Sequence, residues 1–146
     1  MTDEFAALDK VDREILSILA NDARIPYQTL GERVHLSANA AADRVRRLLR
    51  NGVIRRFTID IDQARLGRTL EAIIDVRVSD ADLFQQGVKA SDEITYVAHV
   101  TGSYDYHVLA TCRGTAGLND LLTRLKTQYG VRETTTVIAL EQVVSS

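Results

Sequence analysis

The apolar residues of this chain repeat with one period at the start and with another from the middle onward. From Leu8 to Leu48 they recur at helical spacing; from Glu71 alternating runs appear, with helical stretches between them. Residues three or four apart share a face of a helix, and alternate residues share a face of a strand. A chain of 146 residues that changes period in this way is expected to be α+β, a helical part followed by a part built on a sheet.

In the helical part, Leu8, Val11, Ile15, Ile18 and Leu19 predict a first helix. Asp9 suits its N-cap, and Asp12 three residues on favours the positive end. Asn21-Asp22 reads as its stop. Pro26 suits the first turn of a second helix, where its missing N–H is not needed; that helix runs to about Val34 and buries Leu30 and Val34. Ser37 is the expected N-cap of a third helix ending near Asn51-Gly52. A tight turn between the second and third makes this a helix-turn-helix pattern. Residues 53–61 alternate Ile54, Phe57, Ile59 and Ile61 with polar residues and predict a strand, a wing-like extension of the domain. The expected boundaries are a helix-turn-helix domain over 1–54, a connecting strand and hinge over 55–69, and a sheet domain over 70–146.

In the second part, Ala72, Ile74, Val76 and Val78 share one face of a strand, with Asp75 and Arg77 on the other. Ser79-Asp80 opens a helix to about Ala90. Ile94, Tyr96, Ala98 and Val100 mark a second strand and Tyr106, Val108, Ala110 and Cys112 a third. Thr115 is the expected cap of a helix carrying Leu118, Leu121, Leu122 and Leu125, closed by Gly130, and residues 131–144 predict a last strand. The order βαββαβ is the ferredoxin-like arrangement.

Six arginines, Arg44, Arg46, Arg47, Arg50, Arg55 and Arg56, lie within thirteen residues with no acid among them. The chain carries a formal net charge of −2, so this run is local. Residues 1–56 hold ten Lys/Arg against eight Asp/Glu, and the remainder eight against twelve. Charge runs alone are usually solvated faces; the helix-turn-helix setting makes this one a candidate for a phosphate backbone. At 100° per residue, Ala41, Val45 and Leu48 face inward. Asn39, Asp43, Arg46 and Arg50 face out, with Ala42 and Arg47 at the flanks and Ala40 and Ala42 keeping the face slim. Asn39 suits adenine, and Arg46 or Arg47 suits guanine. The other arginines suit phosphates. Arg44 lies nearer the buried side and reads as a phosphate contact or a structural ion pair. Arg55 and Arg56 add a second backbone contact. The expected DNA-facing set is Ser37, Asn39, Asp43, Arg44, Arg46, Arg47, Arg50 and Arg55.

The single Cys112 rules out an internal disulfide and suits a reducing cytoplasm. The opening MTDEFAALDK is too polar for a signal peptide, and no apolar run approaches the ~18 residues of a membrane span. His99 and His107 flank a turn without a third ligand, and Cys112 alternates with buried positions, so neither a metal nor a cofactor is expected. No nucleophile–base set, phosphate-cradling loop or carboxylate pair points to an enzyme. The Gly-x-Tyr-Asp turn at 102–105 offers N–H groups, a ring and a carboxylate. An amino acid's ammonium suits Asp105, its carboxylate suits Thr134 or Thr136, and Tyr104 can close over its side chain. A plain tight turn followed by a Thr-rich strand explains the same residues.

The stretches LDKVDREILSILANDAR and LGERVHLSANAAADRVRRLLRNGVIRRFTIDID resemble the N-terminal domain of the Lrp/AsnC (leucine-responsive, feast/famine) transcriptional regulators. TGSYDYHVL and GVRETTTVIAL resemble that family's effector-binding, or RAM, domain. The resemblance covers nearly the whole chain in order. It implies double-stranded DNA as partner, a recognition helix over Ser37 to Arg47, and an amino-acid effector at Gly102, Tyr104 and Asp105. The segment Thr134 to Thr136 would complete that site, commonly from a neighbouring subunit. It also implies homo-oligomers: dimers through the C-terminal sheet, gathered into tetramers, octamers or larger discs. Four departures stand out. His35 replaces the usual turn Gly, Gly31 replaces a small Ala at a helix-propensity cost of about 1 kcal/mol, Ala41 replaces a larger apolar residue, and Leu49 occupies a position often acidic in the family. The expectation is a cytoplasmic, sequence-specific regulator modulated by an amino acid. The alternatives are an architectural DNA-binding protein without effector response and an enzyme resembling the sirohaem decarboxylases.

Overall fold

In the computed structural model, which describes residues 7–141 and Val143, the chain divides at Asp60/Ile61 into two units. The acidic opening residues 1–6 lie outside the described residues.

The first unit holds α1 (Lys10–Asn21), α2 (Tyr27–Arg33) and α3 (Ala38–Arg50). Asp9 and Asp12 form a capping box: the Asp9 carboxylate accepts the Asp12 N–H at 2.7 Å, and Asp12 accepts the Asp9 N–H at 3.3 Å. Ser37 caps α3 by accepting the Ala40 N–H at 3.1 Å. Ile15, Leu19, Ile25, Leu30, Val34, Ala41, Val45 and Leu48 form the core. Each fully buried Ile, Leu or Val among them contributes about 1.5–3 kcal/mol. Pro26 falls one place earlier than expected, at the N-cap of α2 (φ −61°, ψ 144°), with no side-chain bond to offer. After α2, His35 takes the left-handed conformation, φ 58°. The Leu36 N–H then reaches the Gly31 carbonyl at 2.8 Å, and the His35 N–H reaches that of Glu32 at 3.4 Å. This pattern closes a helix with its C-terminal carbonyls satisfied, and it turns the chain into α3.

The strand expected over residues 53–61 does not form: residues 55–62 carry no assigned secondary structure. Alternation makes a strand only where a neighbour supplies the ladder, and here Phe57, Ile59 and Ile61 remain exposed. The wing is therefore absent among the described residues of this unit.

The second unit opens with a 3-10 turn (Gln63–Leu66). It continues through β1 (Leu70–Val78), α4 (Ala81–Lys89), β2 (Ile94–His99), β3 (Tyr106–Cys112), α5 (Gly114–Gln128) and β4 (Val131–Ala139). The strands lie in the order β2-β3-β1-β4, all neighbours antiparallel, giving the ferredoxin-like sheet. Ala72, Ile74 and Val76 of β1 and Tyr106, Val108, Ala110 and Cys112 of β3 pack with Phe84 and Val88 of α4. Leu118, Leu121 and Leu125 of α5 complete this core. On the opposite face Ile73 and Leu109 are half-buried and Val137 is exposed. Asp80 caps α4 through the Leu83 N–H at 2.9 Å.

Three local expectations change. Helix α5 begins at Gly114, so Thr115 lies inside it and Arg113 holds the cap position without a side-chain bond. Strand β4 is assigned to Ala139 rather than 144; residues 142 and 144 lie outside the described residues. In β2 the register shifts between Ile94 and Tyr96, so that Ile94 pairs with Ala110 and Tyr96 with Leu109. This bulge moves the downstream residues to the other face. Val97, not Tyr96 or Ala98, packs on the core. It also separates the two histidines. His99 stacks on the Tyr106 ring at 4.9 Å, while His107 bonds Asp75 on the opposite face at 2.8 Å.

Candidate nucleic-acid interface and effector site

Helix α3 is built as two faces. Ala41, Val45 and Leu48 are buried, whereas Asn39, Asp43, Arg46 and Arg50 are exposed, as periodicity predicts. Ala42 differs: it is buried with 4% exposure, so it belongs to the packed side and does not help to keep the outer face slim. It lies about one helical step from Ala41, inside the wide apolar stripe of a packed helix. Arg46 reaches Asp43 at 2.7 Å, one turn back, and both side chains stay largely in solvent (59% and 74% exposed). A pair this exposed is worth about 0–1 kcal/mol and opens easily to another partner. The Ser37 oxygen accepts the cap bond, which leaves its hydroxyl proton free to donate.

Arg44 and Arg47 are placed differently. Arg44 Nη1 donates to Asp9 Oδ2 and, at 3.0 Å, to Asp12 Oδ1. Arg47 Nη2 donates to both Asp12 oxygens at 2.9 Å. Asp12 is 2% exposed. The Arg44 guanidinium holds the Asp9 carboxyl below the usual carboxylate range, and Asp9, with Asp12, pushes Arg44 up. Arg44 is thus the structural ion pair, one of its two expected roles. The Asp12 acceptor was missed because its partners lie far along the chain; only its place as an acid in the first turn was legible. Arg55 is exposed on the unpaired segment.

In the second unit the turn residues bond mainly to their own sheet. The Asp105 carboxylate accepts the Val78 N–H at 2.8 Å, and its N–H donates to the Val76 carbonyl at 2.9 Å. One carboxylate oxygen therefore fixes the turn. Gly102 adopts φ 112° in open space. The Tyr104 hydroxyl meets Thr135 Oγ1 at 2.5 Å. Thr134 and Thr136 pair with Val76 and Ile74, so they share the helix-covered face. Thr135, paired with Asp75, points the other way. The five expected effector residues therefore do not converge within one subunit: Thr135, not Thr134 or Thr136, meets Tyr104. Arg77 joins this cluster. Its guanidinium lies 5.3 Å from the Tyr104 ring centre, its Nε donates to the Ser103 carbonyl, and its Nη1 stands 3.5 Å from Glu133. Its position on the polar side of β1 was the available signal. Hollows among the described residues lie elsewhere. One of about 320 Å³ includes Gln85, Lys89, Tyr96 and His99. One of about 300 Å³ includes Glu71, Ile73, Thr111 and Glu141.

No helix among the described residues is long and apolar enough to cross a membrane. The family model of the AsnC-type helix-turn-helix domain matches residues 8–49, and that of the Lrp/AsnC ligand binding domain matches residues 71–146. The chain is similar to the HTH-type transcriptional regulator FL11 of Pyrococcus horikoshii, 32% identical over 136 residues, covering 92% of this chain and 90% of that one. It is also similar to the HTH-type transcriptional regulator AldR of Mycobacterium tuberculosis, 34% identical over 122 residues, covering 80% of this chain and 68% of the other. A crystal structure of a transcriptional regulator from Neisseria meningitidis in complex with L-Met superposes with a TM-score of 0.88. It is 25% identical and covers 95% of this chain and 94% of its own. These relatives are regulators and not enzymes, which sets the sirohaem-decarboxylase alternative aside. With a DNA-binding helix-turn-helix in its first unit and a ligand-binding domain in its second, the chain belongs to the Lrp/AsnC family of transcriptional regulators.

Proposed function

We propose that this chain is a cytoplasmic, sequence-specific regulator whose DNA binding or assembly responds to an amino acid. The observation that carries the DNA reading is the outer face of α3. Asn39, Asp43, Arg46 and Arg50 stand in solvent over a core-packed back of Ala41, Val45 and Leu48. Asn and Arg on such a face match adenine and guanine edges in the major groove.

The amino-acid reading is supported by the L-Met bound to the Neisseria relative. It is also supported by the chemistry of the turn, where Tyr104, Arg77 and the second oxygen of Asp105 offer a ring, a cation and an acceptor. The scatter of the five expected residues within one subunit favours a pocket completed by another copy. Assembly is supported by the exposed apolar residues Phe57, Ile59 and Ile61 and by Val137 on the sheet face opposite α4 and α5. A symmetric dimer sets two recognition helices at fixed separation, so the operator is expected to be roughly palindromic.

Selection from a randomised duplex pool tests this reading. The selected duplex is then titrated with each of the twenty amino acids while sedimentation reports assembly size. The expected outcome is a near-palindromic site and one amino acid that changes affinity by about 5–150-fold. Sequence-blind binding, indifferent to every amino acid, would leave the architectural alternative.

A further inference from the structure

Resting on the DNA-binding reading, we propose that Asp12 is a positioning residue for DNA binding: it buttresses Arg47 so that the free edge of its guanidinium is presented to a backbone phosphate. Asp12 is itself held from several sides. It is 2% exposed, sits in the capping box of α1, and takes Arg44 Nη1 on Oδ1 at 3.0 Å. Onto this fixed carboxylate Arg47 places a single nitrogen, Nη2, 2.9 Å from each oxygen. A guanidinium has five N–H donors in a rigid plane. Among the described residues, Nε and Nη1 of Arg47 have no partner, and the side chain is 47% exposed. Three of its five donors thus remain without a partner among the described residues. Arg47 lies at the flank of the outer face of α3, where a helix seated in a groove meets the sugar–phosphate edge. A side chain already held by hydrogen bonds in the free protein loses less freedom when it meets its target.

The opposite reading is that Asp12 merely neutralises Arg47 and withdraws it from DNA. The two readings differ in sign. Replacing Asp12 by Asn removes a negative charge near the interface, so electrostatics alone makes the variant bind DNA more tightly. Loss of a buttress makes it bind more weakly.

The test is a double-mutant cycle in the full chain on the selected duplex: Asp12→Asn, Arg47→Ala and the pair. Each affinity is measured well below that variant's own melting midpoint and across a salt series. Asp12→Asn and Arg47→Ala are each expected to weaken binding about tenfold, with the pair no weaker than Arg47→Ala alone. Both single changes are expected to reduce the salt slope by about one phosphate contact. Unchanged or tighter binding by Asp12→Asn, or costs that add in the pair, overturns the proposal. Arg47→Lys covers the case in which Asp12→Asn fails to fold. It keeps the charge without the planar fork, and wild-type affinity from it also overturns the proposal. Failure of the underlying DNA reading looks different: the wild-type chain selects no duplex at all, or Arg46→Ala binds as the wild type does.

Discussion

Gly31 faces the Leu36 carbonyl so closely that a methyl group in place of its hydrogen would lie 2.5 Å from the oxygen. Propensity alone makes Ala the better residue in α2 by about 1 kcal/mol; the close approach reverses that order. Gly31→Ala is expected to destabilise the first unit by about 1–3 kcal/mol, the cost of overpacking, measured by denaturant unfolding. A stabilised variant would contradict the geometry.

Four residues on, His35 holds a left-handed backbone that costs a residue with a Cβ about 1–2 kcal/mol. His35→Gly relieves it and adds chain entropy to the unfolded state, about 0.5–1 kcal/mol in the other direction. The expected net gain is up to about 1 kcal/mol by the same unfolding measurement. DNA affinity should stay unchanged if the α2–α3 turn is already correctly formed.

Arg46→Ala and Arg50→Ala are expected to weaken specific DNA binding by about 1–3 kcal/mol each where they read a base. Where they meet phosphate, they are expected to lower the salt slope by about one. Fluorescence anisotropy across salt concentrations separates the two cases. Sedimentation should report unaltered assembly, because neither side chain is part of the core.

Asp9 predicts how the first unit responds to acid. Its carboxyl titrates below its ordinary value because Arg44 bonds it, followed by the Asp12 N–H. A depressed folded value means that its stabilisation is fully present above about pH 4 and is lost as pH falls through the folded value. Asp9→Asn is therefore expected to shift the acid limb of a thermal-unfolding profile to flatter slope, with the difference from wild type shrinking as the pH drops. An unchanged acid limb would contradict the Arg44 contact.

Asp105→Ala removes the acceptor for the half-buried Val78 N–H. It is expected to cost about 1–3 kcal/mol in the second unit as well as any effect on amino-acid binding. Tyr104→Phe removes only the Thr135 bond. It is the cleaner probe, expected to alter ligand affinity with little change in melting temperature. Thermal shift with and without amino acids checks both.

What the sequence disclosed was whatever depends on neighbours along the chain. The Asp9 and Ser37 caps, the two faces of α3 and the βαββαβ order all follow from spacings of two, three or four residues. What it hid depends on distant partners. Asp12 reads as a helix-start acid until Arg44 and Arg47 arrive from α3. Thr134, Thr135 and Thr136 are interchangeable until pairing with β1 sends the middle one to the side of Tyr104. The bulge in β2 leaves no composition signal, since Thr95 and Tyr96 both suit regular strands, so Val97 and Tyr96 exchanged faces unannounced. Residues 53–61 have the pattern of a strand but no mate among the described residues.

Sheet order also bears on biosynthesis. β1 occupies an interior position, yet β3 and β4, the strands on either side of it, are both translated after it, with α5 between them. A nascent subunit therefore emerges from the ribosome with one margin of β1 bare until the stretch from Val131 is made. During that interval an unfinished copy is vulnerable to pairing with the wrong strand.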